Sequence, residues 1–359
     1  MGYDVDFMAV GEESSSGDAI AIRFGNLHGD RSEQTVVVID GGYKPSGEKL
    51  VEHIKTHYGT ELVDLVILTH PDSDHASGLH VVLEELTVKE LWMHKPWEHS
   101  DGKAVQFKDG RVTDNSIAER LKDSLEVAHS LYQLAVDKEI SIYEPFQGTQ
   151  HLTGCIEVVG PTIEYYNELI LEFSGMPEPK PVVKSIYEAV LDKAKEWIFE
   201  TWDKDLIVDN GDTTSAQNHS SAIIQMTIDG RRLLFTGDAG RESLDKAADY
   251  IGRIGGLPDI AFIQIPHHGS FRNIGPNVLD RLVGTKKDKS SNPHFSAFCS
   301  AAKKGAPKHP SLKVLNAFTR RGARVHVTAG TNKRHYLNSP ERDGWSTAEP
   351  VNFHEQVEK

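Results

Sequence analysis

The run Leu65-Val66-Ile67-Leu68-Thr69-His70-Pro71-Asp72-Ser73-Asp74-His75 constrains the fold more than any other part of the chain. Its apolar half is an uninterrupted strand of the kind found where a sheet is covered on both faces. Its polar half places four metal-capable side chains, His70, Asp72, Asp74 and His75, within six residues. A polar turn could hold a stray His or Asp, but packing does not call for this spacing. Imidazole mixed with carboxylate suits Zn, Mn or Fe, and a strand end is where a rigid scaffold can present a short ligand loop.

Three later segments repeat the arrangement. Leu233-Leu234-Phe235-Thr236-Gly237-Asp238 ends one strand in a carboxylate, and Ile263-Gln264-Ile265-Pro266-His267-His268 ends another in two imidazoles. Asn218 and His219 stand just before the apolar run that begins at Ser221. Singly, each is an ordinary turn or cap. In this order, after the first motif, they converge on one site. The residues leave open whether His267 or His268 is the ligand, and whether His219 or Asn218 takes part.

Strand-like runs cover 19–24, 35–40, 62–69, 89–94, 141–145, 155–160, 221–228, 232–237, 260–266 and 324–328, with Asp229-Gly230 as a hairpin turn. Another apolar strand ends at Cys299. A helix is expected over 115–138, where Ile117, Leu121, Leu125, Ala128, Leu131 and Leu134 form one stripe. Shorter helices fit 46–57, 76–85, 241–252 and 310–321. The segment 161–212 carries 12 acids, 5 bases and a proline cluster at 177–181, and is helical in pattern around 183–202. It stands where a short connection would suffice, so it is expected to be an insertion, a flap or partner-binding element.

Only two cysteines are present, Cys155 and Cys299, both in apolar runs. That excludes a disulfide scaffold, disfavours a thiolate zinc site, and fits core filler in a reducing cytoplasm. No stretch approaches the ~20 apolar residues of a membrane span. Met1 to Gly17 is polar and acidic, unlike a secretory signal. The net charge of −14 argues against indiscriminate nucleic-acid binding. Yet Lys286 to Arg342 contains 13 Lys/Arg against two acids. This basic segment is the expected track for a polyanion, with a solvated charged face as the alternative.

Taken together, these motifs resemble the metallo-β-lactamase superfamily, and within it the hydrolase domain of ComEC-type DNA-uptake competence proteins. The resemblance lies in His70-Pro71-Asp72-Ser73-Asp74-His75, Gly17-Asp18-Ala19, Asp40-Gly41-Gly42, Asn218 with Ser221, Thr236-Gly237-Asp238-Ala239, His267 to Ser270, and Ser300 with His309-Pro310. The long 161–212 segment and the lack of a membrane channel depart from it. The resemblance implies an α/β fold, an αββα metallo-β-lactamase sandwich of two mixed β-sheets flanked by helices, forming a single hydrolase domain over 1–359. It also implies two divalent metal ions, Zn(II) or Mn(II). His70 and Asp72 would hold one, with His219 or Asn218 near it. Asp74, His75 and His267 or His268 would hold the other, and Asp238 would bridge. Asp40 would accept a hydrogen bond from a ligand imidazole, or simply end its strand in a turn.

The expected activity is hydrolysis of a phosphodiester, with DNA or RNA as the candidate polymers, by a metal-bound hydroxide. Asp74 and Asp238 would serve catalysis through the metals, Lys303 or Lys304 would neutralise the phosphate, and His309 would protonate the leaving oxygen. His309-Pro310 as a plain helix start is the bland alternative. Two rival readings are a small-molecule hydrolase of the same fold, acting on a lactone, thioester or cyclic nucleotide, and an inactive scaffold. A protein partner or second copy would use the 161–212 insertion.

Overall fold

Val36–Ile39 and Leu65–Ile67 are fully buried runs because their strands are covered on both faces. The computed structural model describes residues 1–11, 15–179, 197–209, 213–256, 259–305 and 309–359. In chain order the strands are β1 (Gly2–Phe7), β2 (Ala19–Gly25), β3 (Gln34–Gly41), β4 (Leu62–Ile67), β5 (Thr87–Trp92), β6 (Ser141–Tyr143), β7 (Ile156–Gly160), β8 (Trp197–Phe199), β9 (Ile223–Ile228), β10 (Arg231–Phe235), β11 (Phe262–Gln264), β12 (Phe295–Cys299), β13 (Ala323–Val327), β14 (Lys333–Leu337) and β15 (Gln356–Glu358). The α-helices are α1 (Lys44–His53), α2 (Ser73–Glu85), α3 (Asp114–Ser124), α4 (Glu126–Asp137), α5 (Ile163–Leu169), α6 (Ala216–His219), α7 (Arg241–Arg253), α8 (Pro276–Val283) and α9 (Leu312–Arg320).

One sheet runs β14-β1-β2-β3-β4-β5-β6 and the second runs β13-β12-β11-β10-β9-β7. Each is mixed: β3 to β6 pair in parallel, as do β10 to β13, while the remaining neighbours are antiparallel. Alternate side chains of both sheets meet in a central core that includes Phe7, Ile22, Ile39 and Ile67 from one sheet and Ile224, Phe235, Phe262 and Phe298 from the other. The outer face of the first sheet packs on α1 to α5 and that of the second on α7 to α9. This is the expected αββα layering. β8 and β15 form a small separate ribbon against α9.

Parallel strands matter for the site, because their carboxyl ends lie on one edge. Asp40, Thr69, Asp238, His267 and Ser300 all sit at or just beyond such ends. Close packing fixes that edge. A β-carbon on Gly78 of α2 would lie 1.9 Å from the Gly41 carbonyl oxygen, so helix and strand end touch backbone to backbone.

Several elements differ from expectation. The helix expected over 115–138 is two helices, broken at Leu125 (φ −116°, ψ 37°). The apolar stripe runs through the break, since Ile117, Leu121, Leu125, Ala128 and Leu131 stay buried. Most of the helix expected over 183–202 lies outside the described residues, and its end, Trp197–Phe199, is strand. The start of the 161–212 segment is no flap: Tyr165, Tyr166, Leu169, Ile170 and Phe173 belong to the first core.

The acidic N-terminus is a fully buried strand, with Asp4 and Asp6 at 0% exposure. The basic segment supplies what makes that tolerable. Arg334 meets Asp4 at 2.7 Å and Arg342 meets Asp6 at 2.7 Å, while Arg23 of β2 meets Asp4 at 2.7 Å. Likewise Arg320 pairs with Glu200 at 2.7 Å, and Arg321 pairs with Asp205 at 2.9 Å and Asp280 at 2.7 Å. Four of the 13 cations in 286–342 are therefore structural, each with an almost wholly buried side chain. Cys299 is buried and Cys155 partly so, and both are free thiols. Among the described residues, no helix is long and apolar enough to cross a membrane.

Candidate metal centre

Asp72 caps α2 in extended conformation (φ −69°, ψ 147°), and Asp74 lies in the helix's first turn, where a carboxylate suits the positive helix end. Four imidazoles then surround one carboxylate. The Nε2 atoms of His70, His75, His267 and His268 lie 3.9, 3.5, 3.5 and 3.8 Å from the oxygens of Asp238. These separations are too long for hydrogen bonds.

The opposite ring nitrogens explain the arrangement. Asp40 accepts hydrogen bonds from the Thr69 N–H (2.8 Å) and the Thr69 hydroxyl (2.7 Å), and from His75 Nδ1 (2.8 Å). With its own proton given to Asp40, the Thr69 oxygen accepts from His70 Nδ1 at 3.0 Å. His267 Nδ1 donates to Asn273 Oδ1 (2.9 Å), and His268 Nδ1 donates to the Ser300 carbonyl (3.0 Å). Each ring thus carries its proton on Nδ1 and turns the Nε2 lone pair toward Asp238, the tautomer a metal ligand needs. Asn273 also donates to the Asp238 carbonyl at 2.8 Å, which locks the two loops together.

The donor set fits a divalent cation. Buried atoms without a hydrogen-bond partner include His70 Nε2, His75 Nε2, His268 Nε2, Asp238 Oδ1 and Asp18 Oδ1. Lone pairs crowded in this way repel unless a positive charge lies among them. Ligand-type atoms of Asp18, His75, Asp238 and His268 all lie within 4.8 Å of one another. The electrostatics agree. Burial opposes protonation of His75, yet the charges of Asp238, Asp40 and Asp74 hold its pKa well above the ordinary value. Burial likewise works against His268, but Asp238, Asp74 and Asp18 lift it to about 9. Burial would raise Asp238, and the surrounding imidazoles of His267, His268 and His75 pull it well below the usual carboxylate range.

Backbone strain is concentrated here. Asp40, His267 and His268 adopt left-handed φ values of 55°, 47° and 53°. Each such residue costs on the order of 1–3 kcal/mol and persists where the surroundings over-determine it.

The expected residues are distributed as follows. His70, His75, Asp238, His267 and His268 converge, so both histidines of the pair face Asp238. Asp74 Oδ2 lies 3.7 Å from His268 Nε2, and Asp72 Oδ2 lies 3.7 Å from His70 Nε2. His219 is turned to α7, with Nδ1 2.9 Å from Ser243 Oγ, while Asn218 Nδ2 comes within 3.2 Å of His267 Nδ1. The His309 ring stacks on His267, with centroids 5.4 Å apart. Lys303 is exposed, its stem beside Gly330, and it forms no ion pair among the described residues. Lys304 is also exposed, and Lys308 lies outside the described residues.

Sequence reasoning assigned no role to Asp18, Asn273 or Gln217, whose side chain donates to Asp72 at 3.1 Å. Asp18 had a signal, the Gly17-Asp18-Ala19 element; an isolated Asn or Gln has none. One wall of the centre is acidic. A cavity beside Asp72 and Asp74 is lined by Asp123, Glu126 and Gln217, at the break between α3 and α4.

No curated protein matches the chain. Among solved structures, it is similar to Igni18, a metallo hydrolase from Ignicoccus hospitalis (11% identity, 93% of this chain and 98% of that one, TM-score 0.43). It is similar also to Zn(2+)-bound PqqB from Methylobacterium extorquens (10% identity, 93% and 99%, TM-score 0.43). The family model described as the metallo-beta-lactamase superfamily matches residues 30–270. That span runs from just before β3, which carries Asp40, past His268, and so takes in most of the loops converging on Asp238; the chain belongs to the metallo-β-lactamase superfamily.

Proposed function

We propose that the chain is a two-metal phosphodiesterase acting on nucleic acid, similar in its site to the hydrolase domain of ComEC-type proteins. The observation that carries this reading is the ring of four Nε2 atoms around Asp238, with His309 stacked on one member and lysines on the adjoining loop. His70, Asp72 and His267 would hold one ion, and Asp74, His75 and His268 the other, with Asp238 between. The carboxylate-rich set makes Mn(II) competitive with Zn(II). Bound there, such ions acidify water and stabilise charge on phosphoryl oxygens.

The chain's own groups do the rest. His309, stacked on His267, would hold a proton for the leaving oxygen. The Ser300 carbonyl fixes His268, and Lys303 follows three residues later with its ammonium open to an anionic substrate. The described end of the insertion exposes Trp197 and Phe199, a contact for a protein partner or a second copy.

A small-molecule hydrolase is the second reading, favoured by two observations. Four of the basic-segment cations are buried in ion pairs. The cavity beside Asp72 and Asp74 is walled by Asp123 and Glu126, which repel a long polyanion on that side. The test is turnover by the metal-loaded protein of DNA, RNA and bis-p-nitrophenyl phosphate, set against lactone and thioester substrates. Cleavage of the esters without any diester would overturn the first reading.

A further inference from the structure

Asp18, at the mouth of β2, is 1% exposed. Its Oδ2 accepts a hydrogen bond from Gln264 Nε2 at 2.9 Å, and its Oδ1 has no hydrogen-bond partner. The carboxylate lies 3.9 Å from His75 Nδ1 and 4.0 Å from His268 Nδ1. Neither ring needs it as an acceptor, because Asp40 and the Ser300 carbonyl already take those protons. A half-satisfied buried carboxylate close to two others, Asp40 and Asp238, is destabilising unless positive charge offsets it.

Its position is nevertheless held by three contacts, one of them the Gln264 bond above. The Asp18 N–H donates to the Asp74 carbonyl at 3.3 Å, and the Ser300 hydroxyl donates to the Gly17 carbonyl at 2.6 Å. Gln264, which bonds Asp18, also accepts from the N–H groups of Thr236 and Gly237 at 2.9 and 3.2 Å. The same glutamine therefore fixes Asp18 and the turn that carries Asp238. Ligand-type atoms of Asp18, His75, Asp238 and His268 gather within 4.8 Å.

We infer that Asp18 is an additional protein carboxylate for the ion held by His75 and His268. This rests on the metal reading of the site and is independent of the phosphodiester reading. The competing account is that Asp18 serves only as an acceptor for Gln264, a task a neutral amide performs equally well.

Asp18→Asn separates the two, since it keeps an acceptor for Gln264 and removes the charge. Metal affinity is measured by chelator competition on the full chain, with His75→Ala identifying the ion class concerned. Asp18→Asn should weaken that class by about 10–100-fold and change the visible absorption of the Co(II)-loaded protein. The melting temperature of the metal-stripped variant should equal or exceed that of stripped wild type, because a repulsive buried charge is gone. An unchanged Co(II) spectrum with unchanged affinity would overturn the assignment. So would an equal loss of melting temperature in the stripped and loaded forms, which marks a purely structural role. Failure of the phosphodiester reading would appear elsewhere, as diester inactivity of fully loaded wild type.

Discussion

Asp40→Asn isolates the contribution of imidazole orientation to metal binding. Asparagine tolerates the left-handed φ of 55° at this position, and its Oδ1 can still accept from the Thr69 N–H. The Oδ2 that takes the protons of His75 Nδ1 (2.8 Å) and the Thr69 hydroxyl (2.7 Å) becomes an NH2 donor. The hydroxyl can rotate and accept; the ring cannot, unless it moves its own proton to Nε2. That puts a hydrogen on the nitrogen 3.5 Å from Asp238 Oδ1, where a metal ligand needs a lone pair. Removing such a hydrogen-bond partner lowers metal affinity about 10–100-fold, which is about 1.4–2.7 kcal/mol. The fold should lose only about 1 kcal/mol, because most of the hydrogen bonds re-form. Asp40→Ala, by contrast, leaves three donors without an acceptor, at about 1–3 kcal/mol each when buried. The assay pairs calorimetric metal titration with urea unfolding of the stripped protein. Wild-type metal affinity in Asp40→Asn would refute the tautomer argument, and a stability loss as large as that of Asp40→Ala would refute the claim that the fold is spared.

Asp238→Ala should release at least one ion and abolish hydrolysis while near-native circular dichroism is retained; full metal occupancy by elemental analysis would contradict its central place. The double variant Lys303→Glu, Lys304→Glu should flatten the dependence of log affinity for duplex DNA on log salt by about 0.9 per lost phosphate contact, and should lower turnover of bis-p-nitrophenyl phosphate by less than it lowers affinity for DNA, because the small diester has a single phosphate to neutralise. An unaltered slope would move the balance to the small-molecule reading. Burial by itself would raise the Asp6 pKa, but the hydrogen bond and charge of His53, together with Arg342, hold it below the ordinary range. Its folded value is therefore lower than its unfolded one, near 3.9. The stabilisation is complete above that unfolded value and disappears as pH falls through the folded one. Arg342→Met should cost about 3–5 kcal/mol at neutral pH and move acid unfolding to higher pH, seen in melts between pH 3 and 6; an unshifted acid limb would count against the pairing.

The metal loop was legible because local chemistry wrote it: Leu65–Leu68 can only be a covered strand, and four ligand-type side chains in the next few residues have no packing purpose. Asp238 and the 267–268 pair were legible for the same reason, each ending an apolar run. The central strands and the helix α7 followed from periodicity. What the chain could not show by itself depends on partners far away in sequence. Gly2–Phe7 lies in a stretch that reads as polar and acidic until Arg23, Arg334 and Arg342 neutralise Asp4 and Asp6. The basic segment looks like a polyanion track until Glu200, Asp205 and Asp280 claim two of its arginines. His267 and His268 both bring Nε2 near Asp238, and both residues are left-handed, a backbone state no side-chain pattern encodes. Gly17-Asp18-Ala19 drew notice in the sequence, but a role for Asp18 emerges only where the strand ends bring it beside His75 and His268, since it rests on an oxygen without a hydrogen-bond partner, and that is a property of three-dimensional surroundings. Side-chain type and spacing fix which atoms can bind a cation, while the long-range pairing of charges fixes which of them are left to do so.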